Sequence, residues 1–424
     1  MKRWRVIIKA ESPLSLSERK PGGQFRESLP YIPGAVIRGV VAEIMLEVAK
    51  RDHNCDGVHL ADHLKDDLQK RDTCSFYQAF VGPRAIIFEN AYPGEMEEPP
   101  HVLPATAVSC KDWPGFKKGG APEEKCKAAD EPEHHGVFDT LIDRLCWEEL
   151  RPSGLVYRPV CPICGGRLEA FGGFYIRRNG RYELVGARQR LLTRVALNRR
   201  RGVAEDELLY WPSVLAEGVF IGGLWSDGIA EEVKRVLDGK TIYLGGGSSR
   251  GLGRCQVTVL EDSLADDLPD RIEEFNKALK ERWELYNRLT PLEKRRPWPG
   301  NGFFVLDLQA DAILKRDGWL PTTVIDEAML KDATGVKDDS LKLMRSYAGL
   351  GYRGGWQNAW GLPKETEAVA TMGSVYVFWT EDLGRWQAAL ADLEALGIGH
   401  RRTEGFGRVR VCDEFHLILR EGAK

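Results

Sequence analysis

The chain has 424 residues, 43% hydrophobic and 29% charged, with a net charge of −3. That is a globular balance with room for two to three domains. No apolar run reaches the roughly 18 residues of a membrane span, and the slight acidity argues against a protein that coats nucleic acid indiscriminately while permitting a local basic groove.

The opening Met1-Lys2-Arg3-Trp4-Arg5 leads into a strand-like run with Val6, Ile7 and Ile8, not into a secretory signal, so the expected location is the cytoplasm. Nine cysteines, an odd and scattered set, read as buried thiols or metal ligands and not as disulfides. After the turn Lys20-Pro21-Gly22-Gly23, the stretch Tyr31-Ile32-Pro33-Gly34-Ala35-Val36-Ile37-Arg38-Gly39 opens a helix. Its apolar residues Val36, Ile37, Val40, Val41, Ile44, Met45 and Val48 fall at helical spacing. Arg38 stands in the first turn, off that face, where backbone N–H groups and a guanidinium together hold an anion; the bland alternative is a solvated arginine. Residues 84–90 then read as a buried strand.

From about 97 to 170 the pattern breaks into an insertion rich in Pro, Gly, Lys, Glu and His, with a helix expected over 137–150. Cys161-Pro162-Ile163-Cys164-Gly165 has the spacing of a zinc knuckle, in which a tight turn brings two thiolates to one ion. Cys110 and Cys146 are the first choice for the other two ligands, with Cys126, His134 and His135 as alternatives. A loop-rich insertion short of apolar residues gains a staple from structural zinc.

A strand follows at 171–176. Residues 188–202 then carry six arginines and no acid. Arg194, Asn198, Arg199, Arg200 and Arg201 in this run suit phosphate, because the guanidinium fork matches phosphate oxygens. Strands over 208–225 and a helix over 229–237 lead to Gly245-Gly246-Gly247-Ser248-Ser249-Arg250-Gly251-Leu252-Gly253-Arg254. Glycine gives such a loop free backbone N–H groups and no Cβ in the way of a partner, and Ser248, Arg250 and Arg254 add side-chain donors. No Gly-Lys-Ser/Thr closes the loop and no helix follows it, so it is neither a P-loop nor a dinucleotide fingerprint.

Residues 263–287 form a charged amphipathic helix, and 263–300 reads as a connector. The second half starts with the strand Phe303–Leu308, continues through a strand at 372–380 and a helix at 383–396, and ends on a second glycine loop. That loop, Gly397-Ile398-Gly399-His400-Arg401-Arg402-Thr403-Glu404-Gly405-Phe406-Gly407-Arg408, also closes in Gly-x-Gly-Arg and runs into a strand. A repeated element ending each half points to two related domains. The expected fold is α+β: two ferredoxin-like or RRM-like domains in tandem, residues 1–262 and 301–424, with the zinc-knuckle insertion in the first.

Ile32-Pro33-Gly34-Ala35-Val36-Ile37-Arg38-Gly39 resembles the Ile-Pro-Gly-Ser-x-x-Arg-Gly signature of RAMP proteins, RNA-binding subunits of CRISPR effector complexes, with Ala35 in place of serine. The two glycine loops are similar to that superfamily's G-rich loops. Lys20–Gly23, Leu103–Ala107, Gly136–Arg144 and Leu191–Arg199 resemble the large two-RAMP subunit of subtype III-D. The resemblance implies a non-catalytic subunit of an antiviral ribonucleoprotein. It would hold the five-prime handle of the guide RNA beside other RAMP backbone subunits and the large signalling subunit. The implied RNA-binding positions are Arg38, Arg194, Asn198, Arg199, Ser248 to Arg254, Arg401, Arg402 and Gly405 to Arg408, with Phe406 available to stack a base. Relatives that process precursor RNA use histidine, for which His400 is the one suitably placed residue. Relatives that cut target RNA use a loop aspartate, for which Asp307, Asp311 and Asp317 are candidates. An endoribonuclease is therefore the alternative.

Overall fold

A computed structural model describes residues 2–16, 25–26, 28–53, 74–83, 85–96, 98–117, 134–152, 157–198, 203–228, 230–262, 267–357 and 361–424. Arg199, Arg200, Arg201 and Cys126 lie outside the described residues. The chain is a mixed α/β structure, and no helix among the described residues is long and apolar enough to cross a membrane.

The first half opens with β1 (Lys2–Ala10), α1 (Gly34–His53) and β2 (Ile87–Phe88). The insertion holds β3 (Ala107–Cys110), β4 (Val137–Asp139), α2 (Leu141–Leu150) and β5 (Leu168–Ala170). The expected single helix over 137–150 is thus a short strand and then a helix. The carboxylate of Asp139 marks the switch by accepting from the N–H of Leu141. A long ribbon, β6 (Arg194–Asn198) with β7 (Val203–Leu215), leads into β8 (Gly218–Ser226), α3 (Ala230–Leu237), β9 (Thr241–Tyr243) and β10 (Arg254–Asp262).

These strands form one antiparallel sheet in the order β9-β10-β1-β8-β2. Alternation along β1 sends Trp4, Val6, Ile8 and Ala10 to one face, where they bury against Ile37, Val41 and Met45 of α1 and Val233 and Leu237 of α3. Setting the edge strand β9 aside, the strands run fourth-first-third-second, with a helix after the first and after the third.

The second half repeats this order. After α4 (Leu268–Leu289) come β11 (Phe303–Leu308), α5 (Glu327–Thr334), β12 (Lys342–Tyr347), β13 (Val375–Trp379), α6 (Gln387–Leu396) and β14 (Val409–Val411). The ladder is β14-β11-β13-β12, again fourth-first-third-second. Every residue of β11 is buried, because both faces of the sheet are covered. The stretch read as a connector is part of that core: Ile272, Phe275, Leu279 and Trp283 of α4 pack with β11 and with Leu141, Ile142 and Leu145 of α2.

The halves meet through a buried polar junction. Glu89 pairs with Arg3 (2.8 Å) and with Arg408 (2.9 Å), and accepts from Trp225 Nε1 (2.6 Å). Nearby, the Tyr92 hydroxyl donates to the Gln309 carbonyl, and the N–H of Val102 donates to Gln309 Oε1 at 3.1 Å.

Candidate functional site

The insertion brings four ligand atoms together. Cys110 ends β3, His135 precedes β4, and Cys161 and Cys164 lie on one tight turn that the N–H of Gly165 closes onto the Cys161 carbonyl at 3.0 Å. The Sγ atoms of Cys110, Cys161 and Cys164 and a ring nitrogen of His135 all lie within 4.8 Å of one another. Cys110 Sγ to Cys164 Sγ is 3.7 Å, and Cys161 Sγ to His135 Nδ1 is 3.4 Å. A tetrahedron with metal–sulfur bonds of about 2.3 Å has edges of about 3.8 Å, and with one nitrogen about 3.5 Å, so the donor set fits a tetrahedral metal ion. Burial pushes the Cys161 thiol up, but hydrogen bonds from the backbone at Cys164 and Ile163 outweigh it and bring the thiol down to about 6. A thiolate is the form a metal takes.

Two ligand assignments change. Cys146 is not in the group: it is fully buried on α2, with its Sγ toward the Leu279 carbonyl, and burial drives its thiol well above the usual range. It lies four residues after Ile142, on the apolar face of that helix, which explains the placement. His135, an alternative in the sequence, completes the group in place of its neighbour His134.

The glycine loops occupy matching places, each just before the fourth strand of its sheet. In the first, Ser248–Arg250 make one 3-10 turn between Gly247 (φ +82°) and Gly251 (φ +79°), both left-handed. The loop is pinned from below by Gly246 N–H to the Ser15 carbonyl and Gly253 N–H to the Pro13 carbonyl, each 2.9 Å. A Cβ at Gly253 would lie 2.6 Å from the Leu244 carbonyl oxygen, so only glycine fits there. Ser248, Ser249, Arg250 and Arg254 are exposed on the outer rim. Arg254 pairs with Glu11 at 2.9 Å.

The second loop is built differently. Arg402–Glu404 repeat the 3-10 turn, between left-handed Arg401 and Gly405 (φ +94°). This loop packs onto the first half. A Cβ on Gly405 would meet Asn90 Oδ1 at 2.8 Å and the Phe88 carbonyl at 2.9 Å, while one on Gly34 would meet the Glu404 carbonyl at 2.9 Å. Asn90 Oδ1 also accepts from the N–H of Gly34 at 2.8 Å. The start of α1 and a loop some 370 positions later therefore form one composite site.

Glu404 lies at its centre, accepting from Lys364 Nζ (2.8 Å) and Arg401 Nη2 (2.6 Å). Burial raises the carboxyl of Glu404, but these two cations outweigh it and hold it below the ordinary value. Arg38 also feels Glu404; burial lowers its guanidinium against that attraction. Its Nη2 donates to the Phe80 carbonyl at 3.0 Å, it stacks 5.3 Å from the Phe80 ring centre, and its buried Nε has no hydrogen-bond partner. Three cations thus face one carboxylate, and exposed Arg402 stands beside them. Phe406 is half-buried with the Arg401 guanidinium 5.0 Å over its ring. Lys364 and Glu404 were not singled out from the sequence. Glu404 was visible inside the loop, but nothing local marked Lys364.

Arg408 leaves the set. It is 6% exposed and is used inside the protein, donating to the Ala395 carbonyl (2.7 Å), pairing with Glu89 and stacking 5.1 Å from the Trp225 ring centre. In the basic ribbon, Arg194 is half-exposed and Asn198 ends β6. His400 is exposed and joined by its backbone N–H to the Ile313 carbonyl at 3.0 Å. Asp307 is buried against His416 (2.8 Å), Asp311 pairs with Arg353 (2.5 Å), and Asp317 sits at a left-handed hairpin position with φ +52°.

No protein-family model matches the chain, and no curated protein does. Among solved structures, it is similar to a chain of the type III-B Cmr-beta bound to cognate target RNA and AMPPnP. Identity is 10% over 88% of this chain and 86% of that one, with a TM-score of 0.40. It is also similar to oligomeric Cmr4 from Pyrococcus furiosus, at 12% identity over 62% of this chain and all of that one, with a TM-score of 0.25. At these scores no residue role passes from those proteins to this chain.

Proposed function

We propose that the chain is a non-catalytic RNA-binding subunit of a type III CRISPR effector complex, of the RAMP superfamily and of subtype III-D. It holds the five-prime handle of the guide RNA against other RAMP backbone subunits and the large signalling subunit. Each half is then a ferredoxin-like RAMP domain, in keeping with the fourth-first-third-second strand order of both sheets. The observation that carries this reading is the composite site. The Ile-Pro-Gly-x-x-x-Arg-Gly stretch and the second glycine loop meet, with Arg38, Lys364 and Arg401 around a single carboxylate. In a chain of net charge −3 this is a local cationic excess. Phosphate completes it. The guide would supply sequence specificity by pairing while the protein grips the backbone. Asp307 and Asp311, already engaged by His416 and Arg353, favour binding over cutting.

The metal centre belongs to the same reading as structural zinc, held by Cys110, His135, Cys161 and Cys164. Four protein ligands leave no open position for a substrate or a reactive water, which suits a staple and not a reaction centre.

The test is a salt titration of binding to a labelled repeat-derived RNA. Replacing Arg250 and Arg402 together by alanine removes one exposed guanidinium from each loop. The slope of log K against log salt should fall by about 1.4, roughly 0.7 for each single-strand phosphate released. An unchanged slope and affinity would remove the RNA assignment. RNA cleaved with magnesium present, and left whole by His400→Ala, would replace the scaffold with a nuclease.

A further inference from the structure

The metal centre and the segment 413–424 are joined by short stretches of backbone. His135 stands two residues before Val137, whose N–H donates to the Lys424 carbonyl (2.8 Å) and whose carbonyl accepts from the N–H of Lys424 (3.0 Å). Arg420 Nε donates to the carbonyl of Val160 (2.9 Å), the residue before Cys161. Ser109, the residue before Cys110, donates through its hydroxyl to the Gly136 carbonyl (2.9 Å) and so ties β3 to the same strand. Further along β4, the N–H of Asp139 donates to the Ile418 carbonyl (2.8 Å).

The apolar support is small and shared. Phe415, Ile418 and Ala423 fill the same cluster as Ala107, Phe116, Val137 and Phe138. On its other side the segment grips the second sheet. The N–H of Asp413 donates to Asp307 Oδ2 (3.3 Å), and His416 lies fully buried between Asp139 (3.3 Å) and Asp307 (2.8 Å). The segment is therefore the strap between the insertion and β11.

We propose that the metal centre is the latch of this strap. With the ion bound, Cys110, His135 and Cys161 fix the strand ends that hold residues 413–424. Without it, those residues and β4 open together, and the insertion loses its tie to the second sheet. The inference rests on the metal reading above and adds what the ion controls. Its physical basis is that an ion binding only the folded insertion adds its binding free energy to the folding of everything that insertion supports.

The test is hydrogen exchange on the full chain, zinc-loaded and chelator-stripped, with metal content measured on the same samples. Stripping should speed exchange in peptides covering 137–142 and 413–424 by about tenfold or more, with peptide 2–10 of β1 unchanged. Loss of metal with no change at 413–424 overturns the latch while leaving the metal site intact. Equal loss of protection in 2–10 also overturns it, since the ion would then support the whole fold. A chain that takes up no zinc sinks the metal reading and the latch with it. Arg420→Ala spares all four ligands. By reciprocity it should weaken zinc in a chelator competition by the same factor by which it opens the strap. An opened strap with an unmoved competition midpoint refutes the coupling.

Discussion

Two arginines of the second glycine loop, six positions apart, should respond oppositely to the same substitution. Arg408 is buried at the junction of the halves, and Arg402 stands on the surface. Arg408→Ala removes an ion pair to Glu89, a donor to the Ala395 carbonyl and the guanidinium over Trp225. Breaking a buried pair costs about 3–5 kcal/mol when the remaining charge is stranded. Here Glu89 keeps Arg3 at 2.8 Å and Trp225 Nε1 at 2.6 Å, so its charge stays matched. What remains are the Ala395 and Glu394 carbonyls, both left without their donor, and lost packing, which places the cost at the low end, about 3 kcal/mol. Arg402→Ala should stay within about 0.5 kcal/mol of the parent, as surface substitutions do. Urea unfolding followed by tryptophan fluorescence reads the first quantity. The same unfolding curve reads Arg402→Ala, and the salt slope of RNA binding should drop by about 0.7 for Arg402→Ala and not at all for Arg408→Ala under conditions where both are folded. An Arg408→Ala protein of parental stability with a reduced salt slope would refute the division of the loop into a buried half and an RNA-facing half.

Acid should weaken the same junction. Burial raises the carboxyl of Glu89, but Arg3 and Arg408 outweigh it and bring it from 4.5 down to about 2. A depressed carboxyl contributes stability that is fully present above pH 4.5 and lost as pH falls toward 2. The full shift corresponds to roughly 3 kcal/mol. Glu89→Gln should flatten that limb of a stability-against-pH curve, and a variant that keeps the parental limb would show that the loss arises elsewhere. At the metal centre, His135→Ala should lower zinc affinity at least tenfold in a chelator competition. Cys146→Ser should leave that affinity unchanged and destabilise the chain by about 1–3 kcal/mol, because a hydroxyl replaces a thiol in an apolar setting. Zinc lost from Cys146→Ser and kept by His135→Ala would reverse the ligand assignment.

Local chemistry was legible and distant pairing was not. The Cys-x-x-Cys turn declared itself because both ligands and the turn that joins them lie in four residues. Cys110 was named together with Cys146 because both are cysteines of that loop-rich insertion. His135 and Cys146 could not be ranked by composition, but helical spacing could have settled one of them, since Cys146 continues the apolar face of Ile142. The all-buried strand Phe303–Leu308 was plain from its apolar run, which only Asp307 interrupts. Strand β12 and helix α5 were not singled out: the residues of β12 are half-buried or exposed, so no period-two contrast marks them. Arg408 was misassigned because Gly-x-Gly-Arg looks the same in both loops. The partner that distinguishes them, Glu89, is more than 300 residues away.

That difference explains how one repeated element does two jobs. Both loops need left-handed glycines to turn before the fourth strand of their sheet, so both keep the Gly-x-Gly-Arg ending. In the first, the arginine after the turn is exposed and pairs with Glu11, leaving the rim outward. In the second, the arginine points back into the protein and ties the halves, while Gly405 lets the loop lie against Phe88 and Asn90. The cationic group around Glu404 is therefore made from both halves: Arg38 comes from α1, and Lys364 and Arg401 from the second half. Neither half holds it alone. An anion bound there draws on the same packing that joins the halves, so binding and docking are linked, and each must strengthen the other by the same factor.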